Sequence, residues 1–324
     1  MLAYLIRRFG QAILVMSVMA TIVFFGLYMV GNPVDLLINP EDDLLAQEAA
    51  IRRLGLDKPV HIQFFHFLGG LVQGDLGTSF VHNTPALELI LSRLPATLEL
   101  AFLGVFFALV IGIPLGMYAG LYPKSPVSRT IMAGSVIGFS TPNFWQGLML
   151  IMLFAVFWRI LPAGGRGETV DVLGIPVSFL TWDGLSHLFL PALNVAIYKI
   201  SLVIRLTRAG TAEIGLQDYV KYARARGLSE WRVINVHILK NILIPVVTVV
   251  GLELGNVIAF AVVTETVFAW PGIGKLLIDS IGLLDRPVVV AYLMLTVFMF
   301  VMINLVVDII YSLLDPRIRV KRRA

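Results

Sequence analysis

The sequence predicts an all-α integral membrane protein with six transmembrane helices. Of its 324 residues, 58% are hydrophobic and only 14% are charged, whereas an ordinary soluble domain is nearer half apolar and a quarter charged. Segments with almost no charge recur along the chain, and each is long enough to cross a bilayer core about 30 Å thick as a helix. The chain is therefore interpreted as one membrane domain over residues 1–324.

Six segments are predicted to span the membrane. Five of them are nearly continuous hydrocarbon, and the fourth in chain order carries a charge well inside it, Lys199. The first is too long for a signal-peptide core and lacks a small-residue cleavage site, so we interpret it as a retained helix. The predicted spans are residues 9–30, 97–121, 131–158, 188–206, 242–268 and 288–314.

The distribution of basic residues predicts how these spans are oriented. Segments on one side of the six spans contain 16 Lys and Arg residues, and those on the other side contain 8. Cytoplasmic loops carry the excess of positive charge, so both termini and the loop at 209–241 are predicted to be cytoplasmic. The basic tail after residue 316 is interpreted as an anchor at the lipid surface, and no nucleic acid is expected as a partner.

Glycines recur at every fourth residue within the second predicted span, at Gly112, Gly116 and Gly120. This spacing lets two helix backbones approach closely. It favours helix packing, with substrate contact as the alternative.

The segment 31–96 is long for a connection without structure of its own. Strong helix formers at 44–53, an apolar periodic stretch at 60–72 and the pair Thr84-Pro85 predict three helices. We expect them to form a small extracytoplasmic cap.

The cytoplasmic loop is predicted to contain a short helix. Asp218 is a plausible N-cap, Gly227 ends the helix, and Ser229 caps the next one. We expect this helix to have nothing to bury against within its own chain, as in a docking element for a cytoplasmic partner. An ordinary polar connector is the alternative.

Several motifs follow one another along the whole chain. They are Leu54–Pro59, Gly74–Ser79, Leu94–Leu100, the loop Ala223-Arg224-Ala225-Arg226-Gly227 with His237–Asn241 and Pro245 after it, Thr264–Gly274, and Asn304–Asp308 with Asp315–Arg319. In this order they resemble the inner-membrane permeases of bacterial dipeptide, oligopeptide and nickel ABC importers, so the chain is identified as similar to that family.

The resemblance implies a type I ABC importer permease fold and transport by alternating access in the bacterial inner membrane. The implied partners are a second, homologous permease, two ATP-binding subunits and an extracytoplasmic solute-binding protein. Short peptides are the implied substrates, with nickel, glutathione and oligosaccharides as alternatives. The coupling helix that sits in a groove of the ATPase would be formed by Tyr222, Ala223, Arg224, Ala225, Arg226 and Gly227. The residues implied to be structural are Gly74, Asp75, Gly77, Glu265, Trp270, Pro271, Gly272 and Asp308.

Two intramembrane charges stand apart from the family pattern. Lys199 is not part of it, and Glu253 occupies a position where the family often has Gln. Both lie roughly 10–17 Å inside the membrane at about 1.5 Å per helical residue. A lone charge there costs about 2.5–3.5 kcal/mol even on the lenient insertion scale. We expect the two residues to pair or to line the aqueous pathway, with separate contacts to the companion permease as the alternative.

No covalent chemistry is predicted for this chain. Gly272–Leu276 lacks the first glycine and the hydroxyl residue of a phosphate-binding loop, so ATP and Mg²⁺ are expected on partner subunits and no cofactor here. The chain has no cysteine, and His61, His66 and His82 do not share one helical face, so no metal site is predicted. A secondary transporter driven by an ion gradient is the alternative from another class. It would need an internal inverted repeat, which we do not find in the sequence.

Overall fold

The structure is a computed structural model that describes residues 2–30, 52 and 57–314. Helices dominate, and a single hairpin interrupts them within the described ranges. The elements are α1 Leu2–Val30, α2 Val60–Gln73, α3 Ala86–Leu121, α4 Pro126–Ser140, α5 Asn143–Leu150 with a π-helical segment Ile151–Phe157, β1 Val170–Val172, β2 Ile175–Val177, α6 Trp182–Gly215, α7 Asp218–Ala225, α8 Glu230–Arg232, a second π-helical segment Val233–Leu239, α9 Lys240–Phe260, α10 Val262–Val267, α11 Ile273–Gly282 and α12 Arg286–Leu314.

Four helices among the described residues are long and apolar enough to cross a membrane: Ala86–Leu121, Trp182–Gly215, Glu230–Ile258 and Arg286–Val307. The bent pair α4 and α5, continued to Phe157, adds a fifth if it counts as one span. Helix α1 contains a shorter apolar stretch, Ile13–Gly26. A multi-pass helical membrane protein is thus confirmed, while the count of six spans stays a prediction.

The third predicted span is not one straight helix. The chain turns by 110° between α4 and α5. Thr141 precedes Pro142 and has φ −82° and ψ 132°, an extended conformation, because the proline ring disfavours the helical region for the residue before it. The Gln146 side chain donates to the carbonyls of Gly138 at 2.9 Å and Thr141 at 3.0 Å, so it holds the turn in place.

The segment predicted to form an extracytoplasmic cap is simpler than expected in its described part. Helix α2 confirms the second predicted cap helix. The third is not separate, because α3 begins at Ala86 and runs through Pro95 into the second span as one helix of 36 residues. The first predicted cap helix, at 44–53, lies outside the described residues.

Chain contacts divide the protein into two compact units, Met1–Pro95 with Pro271–Val301 and Ala96–Trp270 with Met302–Ala324. Within the first unit, α1 packs on α2 through aromatic rings. The Phe24 ring centroid lies 5.2 Å from that of Phe64 and 5.6 Å from that of Phe67.

Within the second unit, α3 and α6 approach each other closely. A Cβ atom on Gly116 would lie 2.7 Å from the Ile204 carbonyl oxygen, and one on Gly120 would lie 2.5 Å from Thr211 Cβ. Real Cβ atoms do not approach so closely, so the glycines are needed for the two backbones to meet. The packing interpretation of these glycines is confirmed.

A small antiparallel hairpin is an addition to the predicted all-α class. Strand β1 pairs with β2 so that Val172 lies opposite Ile175. The two residues between them, Leu173 and Gly174, both have positive φ, at 55° and 81°, which is the two-residue turn that matches strand twist.

Candidate functional site

Helix α7, in the loop predicted to be cytoplasmic, is amphipathic, and its inner face packs within the second unit. Val220 and Ala223 are buried, with Ala223 only 3% exposed. They pack in one apolar cluster with Val203 of α6 and Ile242 of α9. The expectation that this helix has nothing to bury against was therefore wrong: two side chains three residues apart lie on one helical face.

The outer face of α7 and the two residues after it carry the remaining residues expected in the coupling helix. Tyr222 is 63% exposed, and Arg224, Ala225, Arg226 and Gly227 are exposed as well. The Arg226 guanidinium lies 5.6 Å from the Tyr222 ring centroid. Ala223 is the exception, since it faces inward.

The ends of α7 differ from expectation at one residue. The helix begins at Asp218, and Gln217 is its N-cap, because Asp218 already has helical geometry. Gly227 has φ +77° just after the helix, as expected for a left-handed stop. Arg224 Nε donates to Glu230 Oε1 at 2.9 Å. No local pattern predicted this pair, because its spacing of six residues is not a helical one.

Lys199 of α6 and Glu253 of α9 form an ion pair. Their side chains are 14% and 23% exposed. Asn256 Nδ2 donates to Glu253 Oε1 at 3.2 Å, and Lys199 Nζ lies 5.1 Å from the Tyr198 ring centroid. The two charges thus offset each other where a lone charge would be costly, and their role in transport stays a prediction.

A cavity of about 390 Å³ adjoins this pair. It lies between the α4–α5 turn on one side and α6 and α9 on the other. Its lining consists of Phe139, Ser140, Thr141, Pro142, Asn143, Gln146, Val195, Tyr198, Lys199, Asn256, Val257 and Ala261. We call this cavity the polar pocket.

A partly buried hydrogen-bond network ties three helices together beside the polar pocket. Thr264 Oγ1 of α10 accepts from Asn143 Nδ2 at 3.1 Å and from Asn194 Nδ2 at 3.0 Å. Asn143 begins α5 and Asn194 lies in α6. The network therefore fixes the start of α5 relative to its neighbours.

Two of the quoted motifs meet in the second unit. Thr97 Oγ1 donates to Glu265 Oε1 at 2.6 Å, and Trp270 Nε1 donates to the Ala96 carbonyl at 2.8 Å. Glu265 and Trp270 are both fully buried. These contacts support a structural rather than a catalytic role for Glu265.

Two residues of the motif Gly74–Ser79 shape the turn that follows α2 in the first unit. Gly74 has φ +77° and ends α2, and Asp75 Oδ1 accepts from the Gly77 backbone N–H at 2.9 Å. Ser79 Oγ donates to the carboxylate of Asp285, a residue that lies outside the predicted motifs.

Gly272 is the N-cap of α11, directly after Pro271. The side chain of Asp308 and the stretch Asp315–Arg319 lie outside the described residues.

A second buried carboxylate, Glu99, lies within the motif Leu94–Leu100, but no role was predicted for it. Glu99 accepts from Arg166 Nη2 and from the Ser178 backbone N–H, each at 3.0 Å. Arg166 also donates to the Pro176 carbonyl at 2.6 Å. These bonds tie the hairpin to α3, a long-range contact with no local sequence signal.

No group of three or more His, Cys, Asp or Glu side chains in the described ranges is arranged to hold a metal ion.

Comparison with known proteins connects these features to one family. The family model for "Binding-protein-dependent transport system inner membrane component" matches residues 112–320, and the model for the N-terminal region of such components matches residues 1–101. The dipeptide transport system permease protein DppB of Escherichia coli is 36% identical over 99% of this chain and 100% of its own length.

Two further relatives are similar over nearly their full length. The di/tripeptide permease DppB of Pseudomonas aeruginosa is 38% identical over 99% of this chain and 100% of its own. The oligopeptide permease AppB of Bacillus subtilis is 38% identical over 98% and 99%. Among solved structures, an inward-facing MetNI methionine ABC transporter chain superimposes with a TM-score of 0.55 and 18% identity, covering 70% of this chain and 96% of that one.

Proposed function

This chain belongs to the binding-protein-dependent transport system inner membrane components, and from that premise we propose that it imports short peptides as the permease subunit of an ATP-driven importer. It is a multi-pass inner-membrane protein with the fold of the ABC importer permeases. The observation that supports peptides as substrates is the similarity, over nearly the whole chain, to peptide permeases of three different bacteria.

The proposed partners are a second homologous permease, two ATP-binding subunits that carry ATP and Mg²⁺, and an extracytoplasmic solute-binding protein. The chain itself would catalyse no covalent chemistry. Family membership supports an ATP-binding and a substrate-binding partner. The exposed basic face of α7, with Arg224 and Arg226, supports a cytoplasmic docking surface for partner carboxylates.

The packing of α7 suggests how a partner's motion would reach the membrane. Val220 and Ala223 share an apolar cluster with Val203 of α6 and Ile242 of α9. Closely packed side chains transmit displacement because interiors have low compressibility. A shift of α7 would therefore move α6 and α9, the two helices that hold Lys199 and Glu253.

We would test this function by purifying the tagged permease from its native membrane in mild detergent, as wild type and as Gly227→Asp. A Cβ at Gly227 would meet no described atom within 4 Å, and Asp tolerates positive φ better than most residues. The variant should therefore fold but present a bulky carboxylate on the docking surface. We expect wild type to retain an ATP-binding subunit and a second permease, and Gly227→Asp to lose the ATP-binding subunit alone.

Gly174→Asp is the matched control. Gly174 has a similar φ of +81° and equally open surroundings, but it lies in the β1–β2 turn and should leave the complex intact. The proposal would be contradicted if the wild-type chain were recovered alone and reconstituted vesicles transported substrate without ATP. That result would favour a secondary transporter.

A further inference from the structure

The polar pocket presents a positive charge. Lys199 is the charged residue among the described residues that line it, while its partner Glu253 lies behind it, bonded to Lys199 and Asn256. An ammonium group has three N–H donors. With one of them on Glu253, Lys199 keeps donors for a ligand without giving up its ion pair.

The α4–α5 turn adds a second positive feature. Ser140, Thr141, Pro142 and Asn143 all line the pocket, so the N-terminal end of α5 borders it. No described side chain caps that end. The first N–H groups of a helix lack partners within the helix and carry a partial positive charge. In membrane transporters, broken helices place such ends at anionic substrate groups.

A buried amide oxygen supplies an independent sign of a ligand. Gln146 is only 7% exposed and lines the pocket. Its Nε2 is used twice to hold the turn, but its Oε1 accepts no hydrogen bond within the described part of the chain. A buried polar atom left unpaired costs free energy, so an amide N–H of a bound molecule would satisfy it.

We propose that the polar pocket binds the C-terminal carboxylate of the transported peptide, with Lys199 and the start of α5 as donors and Gln146 Oε1 accepting a peptide N–H. This rests on the proposed function and assigns a substrate group to one site within it. A cation and an uncapped helix end suit a carboxylate, and the nearby amide oxygen suits the N–H that every peptide carries beside its terminus. The volume of about 390 Å³ lies in the range of small-molecule sites.

The test uses the complete importer in proteoliposomes with saturating binding protein. The probes are alanyl-alanine and its C-terminal amide, and uptake of each is divided by the occupancy of the binding protein measured with that probe. The variant Lys199→Gln/Glu253→Gln removes the positive charge of Lys199 together with its counter-charge, so that neither residue is left as a lone charge. We expect it to lower normalised uptake of the acid by a factor of about 10 to 100, the range for a hydrogen bond to a charged group, and to leave the amide nearly unchanged.

Lys275→Gln/Asp279→Asn is the matched control, because it removes an exposed ion pair of the same type and should change neither probe. An unchanged acid-to-amide ratio in the Lys199→Gln/Glu253→Gln importer would overturn the carboxylate site. A wild type without ATP-dependent uptake of either probe would instead count against the proposed function.

A second measurement keeps both charges and does not depend on the double variant folding. The chain has no cysteine, so Ser140→Cys places one thiol of this chain at the pocket. We expect alanyl-alanine to slow its reaction with a maleimide in the assembled importer and the amide to do so about tenfold less effectively. Equal protection by both probes, or protection by neither, would contradict the proposal.

Discussion

At the residue scale, the chain solves a recurring problem of membrane proteins, which is how to keep a charge inside the bilayer. Lys199 and Glu253 are mostly buried but face each other. The pair is held further by Asn256, which bonds the carboxylate. Either charge alone would keep its full desolvation cost, so the two residues depend on each other for stability.

Charge reversal separates the stabilising role of this ion pair from the recognition of a peptide carboxylate by Lys199. Lys199→Glu or Glu253→Lys alone would place like charges together, and we expect a loss of about 3–5 kcal/mol, the cost of breaking a buried pair. The double reversal should restore the pair and the yield of folded protein, measured by fluorescence-detected size exclusion. It should not restore uptake of peptide acids, because the pocket would then present a carboxylate. Failure of the double reversal to recover folded protein would show that the pair is not coupled.

At the element scale, α3 and α6 lie in close contact within the second unit. The glycines at 112, 116 and 120 allow it, since a Cβ on Gly112 would lie 2.7 Å from Val203 Cγ1. No hydrophobic effect drives helices together in lipid, so backbone proximity supplies much of the association.

Gly116→Leu tests that contact. The added side chain would meet the Ile204 carbonyl and Thr207, and overpacking of this kind costs about 1–3 kcal/mol or more. We expect a melting temperature several degrees lower in detergent. Gly134→Leu in α4 is the control, because a Cβ there meets no described atom within 4 Å and leucine favours helix. Equal melting of the two variants would mean that α3 and α6 do not depend on the glycines.

Other elements show which structural features can be predicted from a single sequence and which cannot. Apolar periodicity located α2, and glycine spacing identified the face of α3, because both signals are local. The turn between α4 and α5 was missed although Thr141-Pro142 signals it, since no charged residue interrupts the stretch 131–158. The inward position of Ala223 depends on neighbours from distant elements, as does the bond between Glu99 and Arg166, and a single sequence does not encode those neighbours locally.

At the scale of the whole molecule, the uneven distribution of basic residues predicts a sided protein. The segments assigned to the cytoplasm hold 16 Lys and Arg residues, against 8 in the segments assigned to the opposite side. Under this assignment the α7 loop and the β1–β2 hairpin lie on opposite sides of the membrane.

Single cysteines test the orientation directly, since the native chain has none and serves as the unlabelled control. We expect Leu173→Cys, at a position 99% exposed in the hairpin turn, to react with an impermeant maleimide once the outer face of the membrane is accessible. Ser229→Cys, exposed after α7, should react only after the membrane is opened. The reverse pattern would invert the predicted topology.

The π-helical segment Val233–Leu239 has a consequence for insertions and deletions. It lies between α7 and Glu253, and a π turn holds about one residue more than the α turn it replaces. Removing one residue inside the segment would convert it to α-helix and leave Glu253 aimed at Lys199. Removing one between the segment and Glu253 would turn the carboxylate away by about 100°, the rotation of one helical residue. The chain can therefore lose one residue within the segment, and not between the segment and Glu253, without changing the angle between α7 and the Lys199–Glu253 pair.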